Sequence, residues 1–211
     1  YLTETLDKRM LAVLGNRDFN KLPFNISINL NVSTVMSRGF QNFDHFVGKN
    51  TSKVIVELQI LDIFSDMGSF SQARDTLQER GYRVLVDGIN PLALQFFDPT
   101  LLKSNFLKIN WNPDYDGEVE PDLLKDLRTV IESAGKGGVI LARVNSNKAI
   151  KWGMGLGITN FQGFFVDALM EKIGGIEAQQ ERKIPKTKEK VKAQSATPSN
   201  AQPATVKSAA P

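Results

Sequence analysis

Two hydrophobic patterns alternate along most of the chain, and this alternation constrains the fold more than any other feature. Short runs rich in Val, Ile, Leu and Phe have the length of strands, and between them apolar residues recur at helical spacing. The runs lie at residues 24–32, 54–61, 83–87, 106–111, 139–144 and, more weakly, 158–166. Strands that alternate with helices are typical of a parallel sheet with crossover helices. The sequence therefore predicts an α/β fold, either a doubly wound sheet or a (β/α) barrel.

The segments between these runs are predicted to be amphipathic helices. Apolar residues recur at helical spacing in residues 2–13 and 40–47. A further helix at residues 71–80 ends before Gly81, and Pro121 begins the next one. Each predicted strand after the first is thus preceded by a helical segment or a turn.

Each of the first four strand runs carries its polar residues on one face. Asn29, Glu57, Asp87 and Lys108 lie on that face in successive runs, opposite a continuously apolar face. A sheet covered by helices on both sides rarely accepts a recurring polar face. In a barrel, by contrast, inward side chains at the carboxyl ends of the strands form the mouth of a site. We therefore predict a barrel in which these four side chains converge at one opening.

The positive charge of the chain lies at one end. The net charge is +3, but residues 182–211 contain seven Lys or Arg and a single acid, so the preceding residues are net negative. The same segment holds four of the nine prolines and no aromatic residue. Such a composition cannot bury enough apolar area to offset the entropy of ordering. We predict a folded domain over residues 1–175 and a basic, disordered tail over 176–211, and we expect no specific nucleic-acid binding.

Two classes of protein are excluded by composition. The absence of Cys excludes a disulfide-stapled miniprotein and a Cys-ligated metal site. No apolar stretch approaches the roughly 20 residues of a membrane-spanning helix. Because the sequence begins with Tyr1 rather than Met, we expect that an upstream segment is absent from it. Any membrane contact is expected only through the tail or through that upstream segment.

Six short motifs occur in a recognisable order. They are Ile28-Asn29-Leu30, Val56-Glu57-Leu58, Val86-Asp87-Gly88, Leu107-Lys108-Ile109-Asn110, Val139-Ile140-Leu141-Ala142 and Phe161-Gln162-Gly163. Their order and spacing resemble the EAL-domain family, whose active members hydrolyse cyclic-di-GMP. The resemblance extends from the first helix to about Glu171 and implies a modified, TIM-like (β/α) barrel. Six strands are fewer than such a barrel needs, so we expect it to be incomplete at its N-terminal side in this chain. Either the remaining strands lie upstream of Tyr1, or the barrel is open and its edges must be covered.

The resemblance implies roles for five polar residues. Asn29 and Glu57 resemble metal ligands of the family, and Asp87 resembles the first residue of an Asp-Asp pair. Lys108 resembles the Lys associated with the nucleophilic water, and Gln162 resembles the Gln near the last strand.

The sequence departs from the family pattern in several places. The strand that carries the Glu-Ala-Leu motif does not occur in it. Gly88 stands in the place of the second Asp, Ala142 in the place of a Glu, and Asn145 in the place of a second Glu. Residues 89–93 replace the usual Gly-rich loop.

These departures predict that hydrolysis is lost. Two-metal phosphodiester hydrolysis needs several carboxylates to hold the ions, and Gly and Ala supply none. Each loss of about 1.4 kcal/mol in transition-state stabilisation lowers the rate tenfold. Asn29, Glu57 and Asp87 are therefore expected to be a vestigial metal site, with Lys108 and Asp87 as vestigial catalytic residues. No cofactor is expected, and Mg or Mn only if activity is retained.

Loss of hydrolysis leaves three functional hypotheses. The leading one is a catalytically inactive regulatory or protein-interaction module in bacterial signalling, with a protein partner or a second copy as its target. The first alternative is a non-hydrolysing cyclic-di-GMP receptor, because binding does not need a complete metal pair. Its candidate ligand-binding residues are Asn29, Glu57, Asp87, Lys108, Arg143 and Gln162. The second alternative is an active cyclic-di-GMP phosphodiesterase. The family's nucleotide chemistry implies the cytoplasm, with or without a membrane tether.

Structural roles for the same residues are also open at this level. Glu57, Asp87 and Lys108 could form an ion-pair cluster that fills a barrel interior. The Phe96-Phe97 pair and Trp111 belong either to the core or to an exposed apolar patch that marks a partner surface. The sequence does not decide the place of Trp152.

Overall fold

The structure is a computed structural model that describes residues 2–116 and 121–183. The strands are β1 (Ile26–Leu30), β2 (Val54–Gln59), β3 (Arg83–Ile89), β4 (Phe106–Asn110), β5 (Val139–Ala142) and β6 (Asn160–Phe161). The α-helices are α1 (Leu2–Gly15), α2 (Val32–Val35), α3 (Arg38–Val47), α4 (Ile60–Ser65), α5 (Met67–Glu79), α6 (Pro121–Ala134), α7 (Asn147–Gly155) and α8 (Phe164–Lys183). Short 3-10 helices lie at Phe19–Lys21, Gly48–Lys53, Pro91–Gln95, Pro99–Leu102 and Pro113–Asp116.

The six strands form one parallel sheet in the order β1-β2-β3-β4-β5-β6. Each strand therefore pairs with its neighbours in sequence, and helical segments cross between strands. A doubly wound sheet would reverse its strand order at a switch point, whereas a (β/α) barrel keeps it sequential. The order confirms the prediction of a barrel-type α/β fold.

The apolar face of the sheet packs under the helices, as the parity of the strands predicts. Val54, Val56 and Leu58 of β2 are fully buried on that face. The α5 residues Phe70 and Leu77 are also fully buried and belong to the same core cluster. Burial of each such side chain contributes about 1.5–3 kcal/mol, so this layer supplies much of the stability of the sheet.

A buried carboxylate holds α1 against the turn after β1. Asp7 Oδ2 accepts hydrogen bonds from the backbone amide of Asn31 at 2.8 Å, the Asn31 side chain at 2.7 Å and the Thr34 hydroxyl at 2.7 Å. Three donors offset the desolvation of a charge that is otherwise costly to bury. The predicted first helix is thereby fixed next to the carboxyl end of β1.

The end of the predicted second strand is helical instead. Residues Ile60 and Leu61 belong to α4, because β2 ends at Gln59. Asp62 of α4 accepts a hydrogen bond from the Val32 backbone amide at 2.6 Å, a tertiary contact that sequence periodicity does not report. Asp66 then caps α5 by accepting from the Ser69 amide at 2.9 Å.

The chain divides into two compact units, Tyr1–Glu171 and Lys172–Pro211. The first contains the sheet. In the second, helix α8 continues past the predicted domain end at residue 175 as far as Lys183. The rest of the predicted tail, residues 184–211, lies outside the described residues. Among the helices that are described, none has both the length and the hydropathy for a membrane crossing.

Gly163 provides a test of the packing at the end of β6. A Cβ at this position, where φ is +152°, would overlap the backbone oxygen and nitrogen of Val144. Val144 cannot move aside easily, because its amide donates to Gln162 and its carbonyl accepts from Phe165. We expect Gly163→Ala to lower the free energy of unfolding by about 2 kcal/mol in urea titrations. The control is Gly155→Ala, which has open space in α7 and should be neutral or slightly stabilising. Equal stabilities of the two variants would contradict the close approach of Gly163 to the Val144 backbone.

Candidate functional site

The register of the sheet brings the predicted polar residues to one face. Asn29 of β1 lies opposite Glu57 of β2, and Gln59 lies opposite Asp87 of β3. Lys108 lies on the same face of β4, one strand further along. Because the strands are parallel, these side chains lie toward the carboxyl end of the sheet, where barrel proteins build their sites.

Lys108 and Glu57 form a buried ion pair at the centre of this face. The Lys108 Nζ atom lies 2.5 Å from Glu57 Oε2, and the two side chains are 6% and 7% exposed. The Ser27 hydroxyl donates to the other oxygen, Oε1. Both oxygens of Glu57 are therefore engaged by groups of the protein itself.

Asp87 extends this cluster toward the rim. Its Oδ1 atom lies 4.0 Å from Lys108 Nζ and accepts a hydrogen bond from the Gly88 amide at 2.7 Å. Its Oδ2 atom accepts from the Gln59 side chain at 2.7 Å. We call Ser27, Glu57, Gln59, Asp87 and Lys108 the rim cluster. With one Lys and two carboxylates, the cluster carries a net charge of about −1 in its ionised form.

The remaining predicted site residues lie around the cluster rather than in it. The side chain of Asn29 is exposed beside Glu57. Arg143 directly follows β5, and Gln162 directly follows β6, the strand at the opposite edge of the sheet from β1. Both residues are exposed. Arg143 has a φ of +60°, a conformation that is uncommon for a non-glycine residue. The structure thus unites Glu57, Asp87 and Lys108, with Asn29 beside them, and leaves Arg143 and Gln162 apart.

Two members of the rim cluster are not among the site residues predicted from the sequence. Ser27 and Gln59 lie on the same polar strand faces as Asn29 and Glu57, and that parity is the signal that could have identified them. Their hydrogen bonds to Glu57 and Asp87 depend on the tertiary register, which the sequence alone does not give.

Three aromatic residues pack together after β4 and on α7. Trp111 follows β4 and is 5% exposed, and it makes edge contacts with Tyr115 and Trp152. Tyr115 stacks on Trp152, and its hydroxyl lies 3.4 Å from Asn90 Oδ1. Burial, with a smaller effect from Asp114, raises the pKa of Tyr115. Trp111 is therefore a core residue, whereas Phe96 is 88% exposed.

The donors present do not fit the metal pair that the family resemblance implies. Divalent ions such as Mg²⁺ need about six oxygen ligands, supplied in part by free carboxylates. Glu57 is bound by Lys108 and Ser27, and Asp87 is bound by Gln59 and Gly88. Within residues 2–116 and 121–183, no group of three or more His, Asp or Glu side chains could hold an ion.

The ion pair provides a prediction about stability. Lys108→Met should leave Glu57 buried without its partner and lower the free energy of unfolding by about 3 kcal/mol or more. The double variant Glu57→Gln/Lys108→Met should recover part of that loss, since it removes both charges. The control is Lys125→Met, at an exposed position of α6. Urea denaturation of the parent and these three variants measures the loss and its recovery, and a loss below about 1 kcal/mol for Lys108→Met would contradict a buried pair.

Comparison with known proteins identifies the fold. No protein-family model matches the sequence, and no curated protein matches it. Several solved structures resemble the fold. The EAL domain of FimX from Xanthomonas citri, in complex with c-diGMP, has a TM-score of 0.58 at 13% identity, over 78% of this chain and 68% of that one. The Bacillus subtilis YkuI protein, with an EAL domain in complex with c-di-GMP and calcium, has a TM-score of 0.57 at 16% identity, over 84% and 47%.

A third structure is BlrP1 from Klebsiella pneumoniae, in a manganese and cyclic-di-GMP complex. It has a TM-score of 0.55 at 14% identity, over 77% of this chain and 43% of BlrP1. The chain therefore spans two thirds of the FimX domain and less than half of the other two proteins. The structure defines an α/β protein with a polar site at the carboxyl ends of parallel strands. In particular, it has the TIM-like fold of EAL domains, which confirms the predicted fold class.

Proposed function

We propose that this chain is a catalytically inactive regulatory module with an EAL fold, which acts through protein contacts in bacterial cyclic-di-GMP signalling. The observation that carries this proposal is the buried ion pair between Lys108 and Glu57. An acid that would serve as a metal ligand is neutralised by a cation of the same chain. An ion would have to displace Lys108 before it could bind there.

The neighbouring positions support the same conclusion. Gly88 and Ala142 stand where the resemblance implies acids, and neither has a donor atom in its side chain. Ala142 is also buried, at 5% exposure. Without metal activation of water and without charge stabilisation at the phosphate, several kcal/mol of transition-state stabilisation are lost.

Absence of turnover is the direct test. We expect no linear product when the chain is incubated with cyclic-di-GMP and either Mg²⁺ or Mn²⁺ and the mixture is analysed by chromatography. A phosphodiesterase with the same fold, assayed in parallel, controls for the substrate and the metals. Product formation that Glu57→Ala abolishes would refute the proposal and establish an active phosphodiesterase.

A non-hydrolysing receptor is the second candidate, favoured by the exposure of Arg143 and Gln162. The two residues lie near each other at the rim, because the Val144 amide donates to the Gln162 carbonyl at 3.0 Å. An exposed guanidinium and an amide are suitable donors to a phosphate, and neither is held in the rim cluster. The cytoplasm, where this nucleotide chemistry of the family takes place, is the proposed location in either case.

Calorimetry with cyclic-di-GMP separates the receptor from the interaction module. If the chain is a receptor, saturable heat should appear, and Arg143→Ala should weaken binding by about tenfold, the loss of one charge-assisted hydrogen bond. Arg128→Ala, at an exposed position of α6, is the matched control and should bind as the parent does. The absence of heat at high micromolar ligand would eliminate the receptor and leave the interaction module.

A further inference from the structure

Strand β1 lies at an edge of the sheet and is paired on one side only. It pairs with β2, and the described residues, 2–116 and 121–183, hold no strand on its other side. Strand β6, at the opposite edge, has two residues, whereas β1 has five and contains neither a charge nor a Pro. Very short strands, charges and prolines are the usual protection of a sheet edge. The outer side of β1 is therefore available to a further strand.

The direction of the amides shows which backbone groups of β1 are unpaired. The Leu107 amide, on the apolar face of β4, donates forward to the residue before β5 at 2.8 Å. The Gln162 amide, on the polar side after β6, donates back to β5 at 2.9 Å. Because all six strands are parallel, the same alternation applies to β1. The amides of Ser27 and Asn29, on its polar face, therefore point away from β2, and both residues are exposed.

The end of β1 supports this direction. The amide of Asn31, where the backbone is still extended at φ −77° and ψ 150°, donates to Asp7 of α1 at 2.8 Å. The next amide, of Val32, donates to Asp62 after β2 at 2.6 Å. Successive amides thus point to opposite sides, and the amide of Asn29 lies on the same side as that of Asn31. Asp7 satisfies the last outward amide and leaves the two before it, whose residues we call the β1 edge.

Helix α1 has an uncovered apolar side close to the β1 edge. It consists of Leu2, Leu6 and Val13, which are 75%, 54% and 59% exposed, and we call it the α1 apolar side. Met10 and Leu14, their neighbours on the helix surface, pack against the core. The α1 apolar side therefore continues the buried side of the helix.

Contacts on the opposite side of α1 determine where the α1 apolar side faces. Glu4 accepts a hydrogen bond from Ser33 of α2 at 2.8 Å, and Lys8 and Gly15 lie against α3. Each of these three α1 residues comes two positions after a member of the α1 apolar side, and two positions are about 200° around a helix. Helix α3 belongs to the connection from β1 to β2. The α1 apolar side thus faces away from that connection and beyond the edge of the sheet.

The two features fit one kind of occupant. A strand added to β1 would accept hydrogen bonds from the β1 edge, and its alternate apolar side chains would pack under the α1 apolar side. A second copy paired through its own β1 is disfavoured, because two α1 helices, each about 10 Å wide, would then cover strands about 4.8 Å apart. We propose that the β1 edge and the α1 apolar side bind an extended segment of a partner protein, with Val, Ile or Leu at alternate positions. This inference rests on the proposed function and names the surface and the chemistry of the partner.

Backbone-modified peptides test this docking with the full chain. The probe is a labelled peptide of about nine residues, with Val at alternate positions and Thr between them. N-methylation of one alternate set of its amides blocks hydrogen bonds along one edge, and methylation of the other set blocks the opposite edge. We expect saturable binding by fluorescence anisotropy, which one methylated set weakens by at least about tenfold and the other leaves within about twofold. Equal effects of the two sets, or no saturable binding at high micromolar concentration, would overturn the proposal.

Proline substitutions test the direction of the β1 amides. Asn29→Pro removes an amide that has no partner in the sheet, whereas Ile28→Pro removes one that points to β2. Asn29→Pro should therefore have a clearly higher urea midpoint than Ile28→Pro, and it should weaken binding of the peptide by at least about tenfold. Equal midpoints, or unchanged binding by Asn29→Pro, would overturn the proposal.

A side-chain variant locates the apolar contact. Leu6→Ser should weaken binding of the peptide by about tenfold, because it removes the centre of the α1 apolar side. The control is Leu101→Ser, at another largely exposed leucine, and it should leave the affinity within about twofold. An equal loss in the two variants would show non-specific adhesion and overturn the proposal.

Two further measurements test the other occupants. By sedimentation we expect a monomer at micromolar concentration, and a dimer that Leu6→Ser dissociates would place a second copy on this surface and overturn the partner. Loss of peptide binding in a form extended upstream of Tyr1 would place that extension on β1 and overturn the partner as well. The two proposals fail separately. Turnover of cyclic-di-GMP would refute the inactive module and leave the peptide affinities unchanged, whereas indifference to N-methylation would refute the docking and restore no activity.

Discussion

The carboxylate of Glu57 is buried inside the polar face of the sheet, and a buried charge must be neutralised and hydrogen-bonded. Lys108 supplies the opposite charge from two strands away, and Ser27 supplies a further hydrogen bond. Removing a carboxylate from water is costly by several kcal/mol unless such partners are in place. Neutralising Glu57 therefore fixes the register of strands β1 to β4. A slip of one strand by one residue would turn its polar side chain to the apolar face.

The same requirement occupies both oxygens of Glu57 with groups of the chain, and the proposed loss of metal chemistry rests on this. Inside the cluster, Lys108 neutralises one of the two carboxylates, and each carboxylate oxygen accepts a hydrogen bond from a group of the chain. Asn29, Arg143 and Gln162 lie outside it and are exposed. The cluster acts as a structural core for the loops above it, and Gln59 and Asp87 connect it to α4 and to the segment after β3. If the site holds no ions, as proposed, the fold can in this way still position surfaces for other molecules.

The sequence predicts the architecture well because strand parity reports it directly. Alternation in residues 54–58 and 83–87 places Glu57 and Asp87 on one face, and the structure has them there. Three aspects could not be predicted. Helix α4 replaces the end of a run that was predicted to be a strand. Its Asp62 accepts a hydrogen bond from the amide of Val32, thirty positions earlier, and the sequence pattern does not report such a contact. The hydrogen bonds of Ser27 and Gln59 depend on register. Finally, Phe96 and Trp111 both lie in connections between elements, and only packing distinguishes the exposed residue from the buried one.

Gly88 bears on how the chain could change over evolutionary time. Its φ of +84° suits glycine, and a Cβ there would lie 3.0 Å from the Gln59 oxygen, while Gln59 is held by Asp87. A mutation that introduced an acid at this position would strain the backbone and disturb that hydrogen bond. Both effects would lower stability whether or not an ion then bound. Ala142, which is buried, would have to change as well. Any evolutionary path that adds an acid at position 88 would thus pass through unfavourable intermediates, so this turn is expected to keep its glycine while the surface around it diversifies.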